Sequence, residues 1–244
     1  VIEFEGVSKR FGDKPVLEGI DLRIPSGGVQ FIIGTSGAGK SVLMKHVVGL
    51  VRADRGRILF EGADITDYSE AEFYRVRERC GLVFQHSTLF DSMTLLENVA
   101  LPIEKRMRMS EKDAAARAKA ELERHHLEEW MDKLPSEVGA GLKKRVAIAR
   151  TLALLPSTII YDEPTTGLDP VAARRVDAMI LALKEKGLTQ IVVSHDLTSI
   201  LTIADRIAMI HHGRVHIDGT KAEVAASTDP IVAQFLCGAP EGPL

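Results

Sequence analysis

Eight consecutive residues, Gly34-Thr35-Ser36-Gly37-Ala38-Gly39-Lys40-Ser41, set three glycines, a lysine and a hydroxyl at the Walker A spacing of a loop that cradles phosphate. The apolar run Val29 to Ile33 precedes them and Val42-Leu43-Met44 follows, so the context is strand, tight loop, helix start. Glycines at 34, 37 and 39 permit unusual backbone angles and let successive N–H groups converge on phosphate oxygens. A helix starting near Gly39 adds the positive end of its dipole. Lys40 can then reach β- and γ-phosphates and the Ser41 hydroxyl can ligate Mg²⁺. Thr35, Ser36, Ala38 and Val42 complete the candidate ATP contacts. A second chemical pair lies far downstream, where the apolar run Ser157 to Tyr161 ends in Asp162-Glu163-Pro164. Consecutive side chains at a strand end point to opposite faces. Adjacent carboxylates can therefore divide two tasks, Asp162 holding Mg²⁺ through water and Glu163 polarising the attacking water. Alone, Asp-Glu-Pro reads as a strand cap at a surface turn; beside the loop at 34–41 it reads as the rest of an ATPase.

The elements that must position these groups are visible as hydrophobic patterning. Ile2 to Val7, Leu17 to Ile24 and Val29 to Ile33 read as strands, punctuated by Gly12-Asp13 and Ser26-Gly27-Gly28. After the loop come a helix to about Val48, a strand near Arg57 to Phe60 and an apolar strand at Leu82 to Phe84. From about Thr94 to Leu155 the patterns are helical, and Ser110-Glu111-Lys112-Asp113 gives a helix start. From Ser157 onward strands (Thr158–Tyr161, Gln190–Ser194, Ile207–His211, Val215–Ile217) alternate with helices (Pro170–Lys186, Leu197–Ala204). That alternation predicts a largely parallel α/β sheet covered on both faces, with its chemistry at the carboxyl ends of the strands. Gly34, Asp162 and His195 all fall there. Only the tail Gly238 to Leu244 reads as irregular, and no internal repeat or low-complexity stretch is present.

Composition narrows the function class. The chain has 244 residues, 27% charged and 45% hydrophobic, enough for one good core with an inserted subdomain. Its net charge of −3 gives no reason to expect general nucleic-acid affinity. No apolar run approaches the roughly 18 residues of a membrane span. Val1-Ile2-Glu3-Phe4-Glu5 lacks the pattern of a signal peptide. Cys80 and Cys237 stand alone, as reduced thiols would. The expectation is a soluble intracellular chain whose link to a membrane comes through a partner.

With these segments placed, the chain resembles the ATP-binding cassette family over essentially its whole length. The resemblance implies roles for residues that patterning alone does not assign. Phe11 sits where the family stacks an aromatic on adenine. Gln85, after Leu82-Val83-Phe84, matches the loop glutamine that senses Mg²⁺ and couples to the transport partner. Asp169 in Gly167-Leu168-Asp169 looks like the loop that meets the opposite subunit, and His195 in Val192-Val193-Ser194-His195-Asp196 looks like the switch histidine at the γ-phosphate. Taken singly, Phe11 reads as a core aromatic, Gln85 as a surface polar residue and His195 as a helix cap. The family fold is an α/β nucleotide-binding domain with an N-terminal antiparallel β portion and an inserted α-helical subdomain. Here that implies a catalytic core at 1–88 and 157–227, a helical subdomain at 89–156 and a C-terminal extension at 228–244.

One motif departs from the family. The family places Leu-Ser-Gly-Gly-Gln before a helix of the type seen here as Arg145 to Arg150, but this chain reads Val138-Gly139-Ala140-Gly141-Leu142. Gly139 replaces the serine that donates to the γ-phosphate of the other subunit's ATP. A glycine N–H at a helix start keeps the dipole contribution, while the missing hydroxyl contact is worth about 1.5–3 kcal/mol. Ala140 adds a Cβ where a glycine is expected. The resemblance still gives Gly139, Ala140, Gly141 and Asp169 to the ATP of a second copy of the chain, in a dimer that closes around two ATP molecules.

Further stretches are similar to the ATPases of MCE-type lipid transporters, the Mla system of Gram-negative envelopes. They are Phe84 to Thr94, Glu97-Asn98-Val99, and the tail with Asp229-Pro230, Gln234-Phe235-Leu236 and Gly242-Pro243. In that family the tail reaches onto the partner ATPase, although a frayed terminus is the plainer reading of such a tail. The resemblance implies phospholipid transport with an integral-membrane permease, accompanied by MCE-domain and small regulatory subunits, at the cytoplasmic face of the inner membrane. Leu89, Phe90 and Met93 read either as the surface that receives a permease helix or as core packing. Two other functions fit the same residues: an importer ATPase for a small polar solute, and a weakly hydrolysing ATP-dependent clamp.

Overall fold

The computed structural model describes all 244 residues. Strands β1 (Ile2–Phe11) and β2 (Lys14–Ile24) form a hairpin, and β1 also pairs with β4 (Arg55–Phe60), which pairs with β5 (Ala63–Asp64). This antiparallel sheet has the order β2-β1-β4-β5. Along β2 the side chains alternate between core and solvent: Ile20, Leu22 and Ile24 are buried, while Asp21 and Arg23 between them are exposed.

The second sheet has the order β10-β9-β3-β8-β7-β6, from Arg214–Thr220, Arg206–His211, Gly28–Ile33, Thr189–Val193, Thr158–Asp162 and Cys80–Val83 respectively. All neighbours run parallel except β10, which pairs antiparallel with β9. β3, β7 and β8 are buried on both faces, as continuous apolar runs require. On one face α1 (Lys40–Val47) and α2 (Glu70–Arg79) share a core with the antiparallel sheet, built on Phe4, Ile20, Leu43, Met44, Phe73 and Ile160. On the other face α6 (Pro170–Lys184) and α7 (Leu197–Ile203) pack over Phe31, Tyr161 and Val192.

A third core belongs to α3 (Leu95–Met107), α4 (Glu111–Arg124) and one face of α5 (Ala140–Leu152), with Leu95, Val99, Ile103, Ala118, Val146 and Ala149 buried. The stretch from Thr94 to Leu155 is helical, as its patterning predicts, and Ser110 caps α4 by accepting from Asp113 N. α5 packs its other face, with Ile148 and Leu152, on β6 and α6. It is thus the mechanical link between the two halves. Gly141 makes that link possible: a Cβ there would lie 2.5 Å from Cβ of Ala172 on α6.

Patterning does not register α2, β5 or α8 (Lys221–Ala225). α2 begins at a capping box in which Ser69 and Glu72 exchange bonds. α9 (Pro230–Cys237) is capped by Asp229 and buries Val232 completely, with Ile231, Phe235 and Leu236 half-buried on the same core as α6. The segment beyond it folds back, its Leu244 N–H donating to Gln234 Oε1 at 2.7 Å.

Candidate active site

β3 ends at Ile33, and Gly34 follows with φ 140°, where a Cβ would stand 2.1 Å from the Ile210 carbonyl oxygen; only glycine fits. The loop then turns into α1 at Gly39, whose φ of 99° no ordinary side chain favours. Because Gly39 offers no side-chain cap, the first N–H groups of α1 keep their capacity for an anion. The Lys40 ammonium is buried and donates to the Gly34 and Thr35 carbonyl oxygens at 2.8 and 2.9 Å. Burial pushes its pKa below the ordinary lysine value, opposed by the Glu163 and Asp162 carboxylates. Ser41 Oγ donates to Asp162 Oδ1 at 2.6 Å, tying the start of α1 to the end of β7.

Glu163 follows at once, outside the strand, with φ 50°. That left-handed conformation is uncommon for a residue with a Cβ and marks a strained position. It turns the carboxylate toward Thr166 Oγ1, which donates to Oε2 at 2.8 Å, and toward His195 Nδ1 at 2.9 Å from the same oxygen. The helix-cap reading of His195 fails, because Asp196 caps α7 by accepting from Thr198 N and Ser199 N. The imidazole is left exposed beside Glu163.

These groups line one cleft of about 620 Å³: Gly34 to Gly37, Gly39 to Val42, Gln85, Glu163 and His195. Ala38 is buried behind the loop, and Asp162 joins the cleft through Ser41. Phe11 lies outside the cleft lining at the end of β1 and is 51% exposed, so it is not a core aromatic. Gly139 to Gly141 open α5 elsewhere, Ala140 facing a separate cleft with Gln85 and Gly167. Asp169 caps α6, accepting from Ala172 N at 2.9 Å. The structure therefore brings together the phosphate loop, the carboxylate pair, Gln85 and His195, and holds Phe11, Gly139 to Gly141 and Asp169 apart from them.

Four further residues enter the site that patterning does not assign: Val16 and Phe235 in the cleft wall, Thr166 on Glu163, and Lys144 beneath Gln85. Lys144 leaves a signal in the sequence. It stands four residues before the buried Ile148, on the same face of α5.

Comparison with known proteins decides what this arrangement is. A family model described as ABC transporter matches residues 17–166. The chain belongs to the ABC transporter family. Among its relatives is the intermembrane phospholipid transport system ATP-binding protein MlaF of Haemophilus influenzae, 36% identical over 245 residues, covering 100% of this chain and 93% of that protein. Another is the methionine import ATP-binding protein MetN of Rhizobium johnstonii, 40% identical over 98% of this chain and 66% of that one. A solved neighbour is the cassette MJ0796, a dimer in a post-hydrolysis state bound to ADP and Pi, with TM-score 0.83, 30% identity and coverage of 91% and 99%. As an ABC cassette the chain is an ATP-hydrolysing enzyme, and its two-sheet α/β fold with a helical subdomain is the fold of those structures.

Within this cassette the departure at Gly139 is mild in steric terms. Gly139 caps α5 with φ −72° and ψ 163°, ordinary for any residue, and a Cβ there meets nothing within 4 Å. No helix of the chain is long and apolar enough to cross a membrane.

Proposed function

We propose that the chain is the ATPase subunit of a phospholipid transporter of the Mla type, powering an integral-membrane permease from the cytoplasmic side. One observation carries the coupling. An apolar cleft of about 550 Å³ runs between the sheet and the helical subdomain, walled by Leu50, Leu82, Phe84, Phe90, Leu101 and Pro102. Phe90 is 52% exposed there, with Leu50 and Phe84 also exposed along the same wall, so the cleft presents apolar side chains that a partner helix could cover. The cleft adjoins Gln85 and so can relay a permease helix to the nucleotide. The substrate class rests on the likeness to MlaF, and MCE-domain and small regulatory subunits belong to the same reading.

The Ser41 hydroxyl, the Asp162 carboxylate and the Gln85 amide form an all-oxygen donor set suited to Mg²⁺, which keeps few protein ligands beside nucleotide phosphates. Bound there, Mg²⁺ would neutralise charge on the β- and γ-phosphates. Lys40 would exchange its loop carbonyls for phosphate oxygens. Glu163 would orient and polarise water, with Thr166 and His195 holding its carboxylate in position. Phe11 would stack on adenine, and Gly139 to Gly141 with Asp169 would complete the site of a second copy. The C-terminal extension at 228–244 would reach that copy through Leu236 and the segment beyond.

The likeness to MetN favours a second reading, an importer ATPase for a small polar solute. Purifying the native complex from membranes and identifying its membrane subunit and bound lipids separates the two. Recovery of an MCE-associated permease with phospholipid supports the proposal; a solute-importer permease overturns it.

A further inference from the structure

The loop carrying Gln85 leaves the sheet at Val83, and from there its backbone is held by α5. Lys144 Nζ donates to the Phe84 and Gln85 carbonyl oxygens at 2.8 and 2.6 Å. Arg150 Nη1 donates to the Thr88 carbonyl oxygen at 3.0 Å, and its Nη2 reaches Thr88 Oγ1 at 3.2 Å. Thr88 sits at φ 45°, a left-handed backbone that a β-branched residue adopts only under constraint. The Gln85 side chain is itself exposed, so its position is set through its backbone.

Lys144 is 2% exposed. An ammonium in such a place costs free energy unless hydrogen-bonded, and an apolar side chain of similar length would fill the slot at less cost. Burial pulls its pKa down to about 8, with Asp162 opposing. A cation kept there against that cost is explained by the carbonyls it fixes.

We infer that Lys144 and Arg150 are positioning residues that clamp the Gln85 loop to α5, so that the helix opening at Gly139 sets where Gln85 stands relative to nucleotide-bound Mg²⁺. The inference rests on the reading of Gln85 as a metal-sensing residue. Its consequence is that α5 moves as one lever. Its first turn faces a second copy's ATP, and its middle holds the glutamine of its own site.

The test uses the full chain in four forms: parent, Lys144→Met, Lys144→Arg and Gln85→Ala. Two quantities are read: amide hydrogen exchange over residues 84–90 without nucleotide, and the Mg²⁺ concentration for half-maximal hydrolysis at saturating ATP. Lys144→Met is expected to speed exchange and raise the Mg²⁺ requirement by about 10-fold each, the loss of charged hydrogen bonds to a loop. Metal-free ATP affinity stays at the parent value, and Lys144→Arg restores both readouts. Parent-like exchange in Lys144→Met overturns the clamp. Faster exchange with an unchanged Mg²⁺ requirement overturns the positioning role if Gln85→Ala itself raises that requirement. If Gln85→Ala leaves it unchanged, the reading of Gln85 fails instead. Should Lys144→Met not fold, Arg150→Lys carries the same measurements at the Ser87–Thr88 end.

Discussion

Replacing Glu163 by glutamine removes the charge that polarises water and leaves Asp162 and Ser41 in place. Hydrolysis is expected to fall by about 10²- to 10⁴-fold, with ATP still bound. Size-exclusion chromatography with ATP then shows a dimer that the parent protein forms only transiently; a monomer at saturating ATP refutes the role. Gly139→Ser tests the altered motif. The backbone already has the conformation a serine cap needs and the space is free. A restored hydroxyl is expected to raise kcat by about 10- to 100-fold, read on the assembled transporter. Parent-like turnover would mean that Gly139 N–H and the helix dipole already suffice. Chemistry at this scale is readable in the sequence where it is local. The loop at 34–41 and the pair Asp162-Glu163 are contiguous, and contiguity is what a sequence displays. Lys144 acts across the fold on a loop from another strand, and Thr166, though only three residues from Glu163, reaches it through the left-handed turn there, so residue types alone do not announce their roles.

Among elements, the segment Leu89-Phe90-Met93 divides. Leu89 packs on the helical subdomain, so the core reading holds for it, while Phe90 faces the apolar cleft proposed above to receive the permease. Buried Asn98 fixes the turn between them, accepting from Phe90 N and donating to the Phe90, Met93 and Thr94 carbonyl oxygens. Phe90→Asp is therefore expected to abolish co-purification with the permease at an unchanged melting temperature. Leu89→Asp is expected to lower the melting temperature itself. Circular dichroism with pull-down separates the two, and an intact complex in Phe90→Asp removes the cleft from the interface. Strand and helix types are legible from periodicity in most of the chain. The exceptions have physical reasons: α2 is mostly polar, with only Phe73 and Val76 buried, so it lacks an apolar stripe to read.

Across the whole molecule, the site is assembled from strand ends that lie far apart in sequence but adjacent in the order β3-β8-β7-β6. Alternating strands and helices imply a parallel sheet; the neighbour order itself is set by crossovers that no local pattern records. α5 and α6 meet at Gly141 and Ala172, so Gly141→Ala is expected to cost about 1–3 kcal/mol by overpacking this junction. Chemical denaturation measures that loss, and unchanged stability would show that the two helices can separate freely.

The left-handed backbone at Glu163 carries a consequence for anyone selecting variants. Asparagine accepts that conformation more readily than glutamate, so Glu163→Asn is expected to relieve about 1 kcal/mol of backbone strain, less what the lost Thr166 and His195 contacts cost. A melting temperature about 2–4 °C above the parent's is the expected reading when the strain outweighs them, and one no higher removes the gain. The same change abolishes turnover. A library ranked by expression or heat resistance would thus enrich dead enzymes at this position, and robustness there reads inversely to fitness.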